Sequence, residues 1–369
     1  MNKIKKQGLI LMQATRRKAL ITLASLPFIL HPYNAFASDA FEQIVREVRT
    51  EAASRGVSER TLSRALDGVQ PISSIKKHET SQPEKRREIT FSQYYNTRAT
   101  PSAITRAKRL GHEHAAELRK AQDLYGVPDS LILAIWSIET NFGDIAGDKK
   151  VIPALLTLVR DVEGDTPKAR ERRAMFREEA VQALMLVDQG YNEIVTGFGS
   201  WAGAIGHTQF MPSSLRKYGV DASGDGKVDL WNNLADVFAS TAHYLREKGW
   251  KPGERWGREV KLPEGFDLSL LTDRLDGQIN KTPRQWAELG VRLPEGDHFP
   301  DDSTMKAMII APDFKPSNGV LKGPVYMVYD NFRTIMEYNK SYKYALTVAM
   351  MMDRIGHPSQ LAAPAAYNP

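Results

Sequence analysis

One carboxyl group stands out by its surroundings. In Leu131-Ile132-Leu133-Ala134-Ile135-Trp136-Ser137-Ile138-Glu139-Thr140-Asn141-Phe142-Gly143, a stretch that is apolar nearly all round meets a single acid near its end. A helix with apolar residues on every side is a buried helix, and Gly143 reads as its C-terminal stop. Glu139 then lies in the last turn, where the helix dipole disfavours negative charge, and burial acts in the same direction. Both effects favour the protonated carboxyl, the form a general acid must hold at neutral pH. The plainer alternative is a surface glutamate at a helix end, the commonest setting for that residue.

A second segment, Gly199-Ser200-Trp201-Ala202-Gly203-Ala204-Ile205-Gly206-His207-Thr208-Gln209-Phe210-Met211-Pro212-Ser213-Ser214, mixes three closely spaced glycines with an indole, an amide and hydroxyls. Such a loop lets backbone approach a ligand while polar groups read its hydroxyls, and a structural loop of tight turns would use the same glycines. A third segment runs from Asp221 to Asp229. Asp221, Ser223, Asp225 and Asp229 fall at positions one, three, five and nine of an EF-hand-like loop, with Gly226 at six, the Lys227 carbonyl at seven and Val228 at eight. Position twelve is Asn232 where a bidentate glutamate is usual, so the reading as a structural calcium site stands beside that of a polar turn.

The first two segments resemble the lytic murein transglycosylases of the B type, whose patterns read Glu-Thr-x-(Phe/Trp)-Gly and Ala-Gly-x-x-Gly-x-x-Gln-Phe-Met-Pro-Ser-Ser. The resemblance extends over residues 40 to 357 and includes Asn331-Phe332-Arg333-x-Ile335 and Tyr338-Asn339-x-Ser341-x-x-Tyr344-Ala345. It implies a fold similar to goose-type lysozyme and a catalytic acid/base at Glu139. It also implies substrate contacts from Ser200, Gln209, Phe210, Tyr338, Asn339 and Tyr344, and a later acid, Asp236, completing the calcium loop. The implied reaction cuts the β-1,4 bond between N-acetylmuramic acid and N-acetylglucosamine in peptidoglycan and leaves a 1,6-anhydromuramoyl end. The implied partners are glycan strands and, beyond them, cell-wall enzyme complexes. Asn141-Phe142 departs from relatives that carry Arg-Trp. Two readings from other classes stay open: a lysozyme-type hydrolase using a second acid such as Asp144 or Asp148, and a non-catalytic, calcium-dependent glycan-binding protein.

The elements that must position these groups are mainly helical. Phe41, Ile44, Val45, Val48 and Ala52 recur at helical steps, and Val57-Ser58 opens a second short helix. Residues 70 to 100, polar and basic with Pro71 and Pro83, read as a long irregular connection. Helical patterning resumes near Ala103, breaks at Gly126-Val127-Pro128 and continues into the Glu139 segment. Arg172 to Gln189 is an amphipathic helix with Gly190 as its stop. From Lys251 to Asp330 the texture turns to Pro and Gly punctuation with the short runs Arg258–Leu262 and Val325–Tyr329, a small strand-containing insert. Helices return from Phe332, and the last, Tyr344 to Ile355, ends at Gly356. The fold class is therefore mainly α, with a small α/β insert and an EF-hand-like loop, and the resemblance implies that the helical domain is lysozyme-like. The divisions fall at 1–37, 38–250, 251–330, 331–357 and a disordered tail at 358–369.

The formal charge of +6 could suggest nucleic acid, but six cations (Lys3, Lys5, Lys6, Arg16, Arg17 and Lys18) sit in the first 37 residues, which hold no acid. Without them the basic residues equal the 44 acidic ones, so a nucleic-acid partner is not expected. That leader, with its apolar run Ala19–Leu30 and small residues before Ala37, reads as a cleavable signal peptide. Thr15-Arg16-Arg17-Lys18-Ala19-Leu20 resembles a twin-arginine signal with Ala19 at the usual Phe position, and a Sec signal suits it equally. The apolar run is shorter than the ~20 residues of a spanning helix, so a periplasmic protein without a stable membrane anchor is expected. There is no cysteine, which excludes a thiol nucleophile, disulfides, a thiolate metal site and a lipidated Cys. The eight histidines show no metal-ligand spacing, and His207 and His243 read as local hydrogen-bonding residues. Nothing calls for an organic cofactor.

Overall fold

Leu131 to Ile138 have no polar face, and the fold encloses them on all sides. A computed structural model describes residues 32–75, 89–271, 280–297, 299, 305–314 and 319–356. In it the helix Asp129–Thr140 is buried from Ser130 to Ile138. The helices Pro101–Glu113, Ala115–Tyr125, Leu234–Glu247 and Tyr342–Gly356 pack against it. A second group joins Val151–Asp161 to Pro167–Asp188, with Glu59–Leu66 and Pro212–Tyr218 laid against the longer helix. The described residues from Ala40 onward form one compact unit.

The stretch 70–100, expected to be irregular, contains a helix, Phe91–Arg98. Thr90 and Gln93 close a capping box at its start, with Gln93 N donating to Thr90 Oγ1 at 3.2 Å and Thr90 N donating to Gln93 Oε1 at 2.9 Å. Its apolar face consists only of Phe91 and Tyr95, both buried, the helix packing on Tyr342–Gly356; two residues in eight are too few to register as a period.

Three antiparallel strands, β1 (Gly257–Val260), β2 (Met308–Ile310) and β3 (Val325–Val328), lie in the order β1-β3-β2. Val260 pairs with Val325 and Ile310 with Tyr326. Both faces are buried, against different partners. Val260, Ile309, Val325 and Met327 join Trp286 and Val291 in a small core, while Met308, Ile310, Tyr326 and Val328 join the main helical core. Period-two alternation thus divides one sheet between two cores. It also explains why β2 was not legible: apolar on both faces, it shows no alternation.

The expected leader falls mostly on residues 1–31 and the expected tail on 358–369, outside the described residues; Pro32–Ser54 is helical. Among the described residues no helix is long and apolar enough to cross a membrane.

Because β2 contributes to both cores, Ile309→Ala and Ile310→Ala should each cost about 2–5 kcal/mol and lower one shared thermal transition. Calorimetry showing two separate transitions, only one moved by each variant, would contradict this coupling.

Candidate active site

Glu139 is the penultimate residue of its helix, and the helix ends earlier than Gly143 suggested. Asn141 is the cap, left-handed at φ 50°, followed by Phe142 at 61° and Gly143 at 89°. Asn141 N donates to Ser137 O, and Phe142 N reaches back to Trp136 O, so the chain turns sharply beside the acid. Among the described residues the only other non-glycine at positive φ is Gln209. A left-handed non-glycine costs about 1–3 kcal/mol, and such strain clusters at functional sites. Gly143 matters for space: a Cβ there would lie 2.3 Å from the His207 ring.

The Gly199–Ser214 loop is pinned to this turn. Thr140 Oγ1 donates to His207 O at 2.6 Å and accepts Gly143 N at 2.9 Å. Trp136 Nε1 donates to His207 Nδ1 at 2.8 Å, so Nε2 carries the proton and donates to Trp231 O at 3.0 Å. Burial holds His207 below its ordinary pKa, in keeping with that neutral form. His243 likewise meets a backbone group, Tyr218 O, at 3.0 Å. Gln209 Nε2 donates to Ala146 O and Gly206 O, leaving the amide oxygen as an acceptor. Ser200 Oγ accepts Ala202 N and Ala204 N, which leaves its proton to donate. At the far end buried Glu179 accepts Ser213 Oγ at 2.6 Å and Ser213 N at 2.9 Å, and burial raises its pKa. Glu179 escaped the sequence reading because it lies within a charged run.

Tyr344 Oη donates to Glu139 Oε1 at 2.6 Å across 205 residues of chain. Glu139 remains partly exposed, yet its surroundings push the carboxyl up to about 7, because burial outweighs the Tyr344 hydrogen bond and the Arg98 charge, which both lower it. Tyr338 Oη donates to Thr208 O at 2.7 Å. Burial first, and the neighbouring Glu139 second, hold both phenols far above their ordinary range, so they act as neutral donors. Arg98, at the end of the unforeseen helix, stands 5.8 Å from the Tyr94 ring centroid. Asn339 is exposed just past the helix Asp330–Tyr338. Phe210, expected to touch substrate, is 2% exposed and packs on Tyr244 and Tyr338. Two further acids are held in ion pairs, Asp144 with the two terminal Arg106 nitrogens at 2.6 and 3.0 Å, and Asp148 with Lys149 at 2.6 Å. The Arg106 hydrogen bond keeps Asp144 below the usual carboxylate range.

In the Asp221–Asp236 loop the expected ligand set is not assembled as one cluster: among the described residues no three acids or histidines converge on a metal position. The carboxylates are drawn onto backbone instead. Asp221 accepts Gly224 N, Asp225 N and Gly226 N, Asp229 accepts Trp231 N and Asn232 N, and fully buried Asp236 accepts Ala222 N, Ser223 N and Asp229 N. Lys227 Nζ turns away to Glu193. With Lys227 Nζ paired to Glu193, the side-chain donors of the loop are hard oxygens, a chemistry that suits calcium.

Residues 40–353 match the family model described as "Transglycosylase SLT domain". The chain is 28% identical over 290 residues, 77% of this chain and 71% of the other, to membrane-bound lytic murein transglycosylase B of Escherichia coli (strain K12). It is similar to the crystal structure of SltB3 from Pseudomonas aeruginosa in complex with NAG-anhNAM-pentapeptide, with 35% identity and a TM-score of 0.75 over 85% of this chain and 79% of that one. It is also similar to the Escherichia coli lytic transglycosylase Slt35 in complex with calcium, with 26% identity and a TM-score of 0.64 over 86% of this chain and 92% of that one.

A carboxyl whose folded pKa is raised from 4.5 to about 7 binds more protons folded than unfolded between those values, so its contribution to stability falls as pH rises through that window. Glu139→Gln should therefore gain on the parent as pH rises: the difference in thermal midpoint, variant minus parent, should be larger at pH 8 than at pH 5. A difference that ignores pH would contradict a buried, proton-holding Glu139.

Proposed function

The chain belongs to the transglycosylase SLT domain family and is a peptidoglycan lytic transglycosylase with a mainly helical, lysozyme-like fold; from that premise we propose that Glu139 is its single acid and base. The observation that carries the reading is a carboxyl with a pKa of about 7 and one phenol donor on it. Protonated Glu139 gives its proton to the oxygen between N-acetylmuramic acid and N-acetylglucosamine. The C1–O bond breaks, its electron pair stays on the departing oxygen, and Glu139 is left ionised, stabilised by Tyr344 Oη. The carboxylate then takes the proton of the muramoyl 6-hydroxyl as that oxygen bonds to C1, closing the 1,6-anhydro ring. No water enters, because a tethered nucleophile at high effective concentration replaces it. Arg106 holds Asp144 below the usual carboxylate range, which makes it a weak base toward water and supports this over a second-carboxylate mechanism. Ser200, Gln209 and Asn339 bind the sugars through hydroxyl and amide groups, with Tyr338 bracing the loop through Thr208 O. Export to the periplasm by the basic leader brings the enzyme to these strands.

Digestion of peptidoglycan in oxygen-18 water tests the chemistry. Unlabelled muramoyl ends, lighter by one water than a hydrolytic product, are expected, with kcat/KM falling above about pH 7 as the free enzyme's acid ionises. Label at the new muramoyl end would establish hydrolysis, and sacculi left intact by the parent protein would establish binding alone.

Calcium would be held by Asp221, Ser223, Asp225, the Lys227 carbonyl and Asp229, with Asp236 organising the loop from behind. The relative solved with calcium and the spacing of oxygen donors from Asp221 to Asp229 support this reading. The ion's part is structural. At a concentration 100 times its Kd, calcium should stabilise the fold by about 2.7 kcal/mol, and Asp221→Ala with Asp225→Ala should abolish the effect. A thermal midpoint unmoved by millimolar calcium would make the loop a plain turn.

A further inference from the structure

Phe198 is 51% exposed, and its position distinguishes it from a scattered surface apolar residue. It lies two residues before Ser200, between Gly197 and Gly199. Gly199 N donates to Lys149 O at 2.8 Å and Lys149 N to Gly199 O at 3.1 Å, so this strip is fastened to the segment that also gives Ala146 O to Gln209. The approach is close: a Cβ on Gly147 would lie 2.0 Å from Gly199 O. Trp231 Nε1 reaches Phe198 O at 3.5 Å. Lys150 Nζ donates to Thr196 O and stands 4.3 Å from the Phe198 ring centroid, covering one face of the ring. A ring covered on one face and half in solvent presents its other face outward, already anchored.

We propose that Phe198 is a saccharide platform, stacking the apolar C–H face of a pyranose of the glycan strand next to the Ser200 end of the cleft. The proposal rests on the transglycosylase reading for the identity of the strand. A pyranose offers axial hydrogens on its flat face and hydroxyls around its rim, so a flat aromatic surface takes the face while water and polar loop groups keep the rim. Lys150 contributes by holding the ring, as a cation against its π-face. The platform binds substrate and transition state alike, so it sets KM and leaves kcat alone.

Steady-state kinetics on glycan strands should show Phe198→Ala raising KM by about five- to tenfold, with kcat and thermal midpoint unchanged because the side chain is exposed. Phe198→Trp should restore the parent KM, whereas Phe198→Leu, apolar but not flat, should not. Lys150→Ala should raise KM by a smaller factor and add nothing in the Phe198→Ala background. Equal KM for the Leu and parent proteins, or an unchanged KM in the Ala variant, overturns the proposal. Sedimentation of the Glu139→Gln protein with insoluble sacculi, with and without Phe198→Ala, reads binding without turnover. Loss of binding there supports the platform even if the cleavage chemistry were wrong, and undiminished binding overturns it.

Discussion

The structure depends on keeping one carboxyl largely away from water while leaving it able to ionise. Burial favours the protonated form of Glu139, and exposure would favour the charged one at neutral pH. The hydrogen bond from Tyr344 and the charge of Arg98 offset part of the burial, and the balance falls near neutrality. The apolar helix places it, surrounding helices dry the helix, and the strained turn at Asn141–Gly143 directs the chain toward Asp144 and Ala146, where the loop is fastened.

Much of this was legible in sequence because it rests on local composition. An all-round apolar helix, a lone acid and a glycine-dense loop are readable from residue types. What was not legible depends on distant partners. Arg98 belongs to a helix whose apolar face is only Phe91 and Tyr95. Phe210 sits in a motif that mixes polar and apolar residues, and its packing on Tyr244 and Tyr338 shows that it points inward. The helix stop was placed two residues late because glycine is the default left-handed residue, whereas here Asn141 takes that conformation first.

The Asp221 loop carries a similar lesson. Spacing identified oxygen donors but not their commitments, and backbone N–H groups compete for the same lone pairs. A carboxylate in such a loop both shapes the backbone and offers oxygen to an ion. The order in which it does so is a question of energy, which spacing does not carry.

The acid and its phenol partner are separated by 205 residues, with the phenol in the final described helix. A polypeptide is made from its N-terminus, so Glu139 exists long before Tyr344 does. A nascent or truncated chain holds the acid without the group that steadies its ionised form. The setting that holds the acid near neutrality is therefore complete only once the helix Tyr342–Gly356 has folded against the one that carries Glu139.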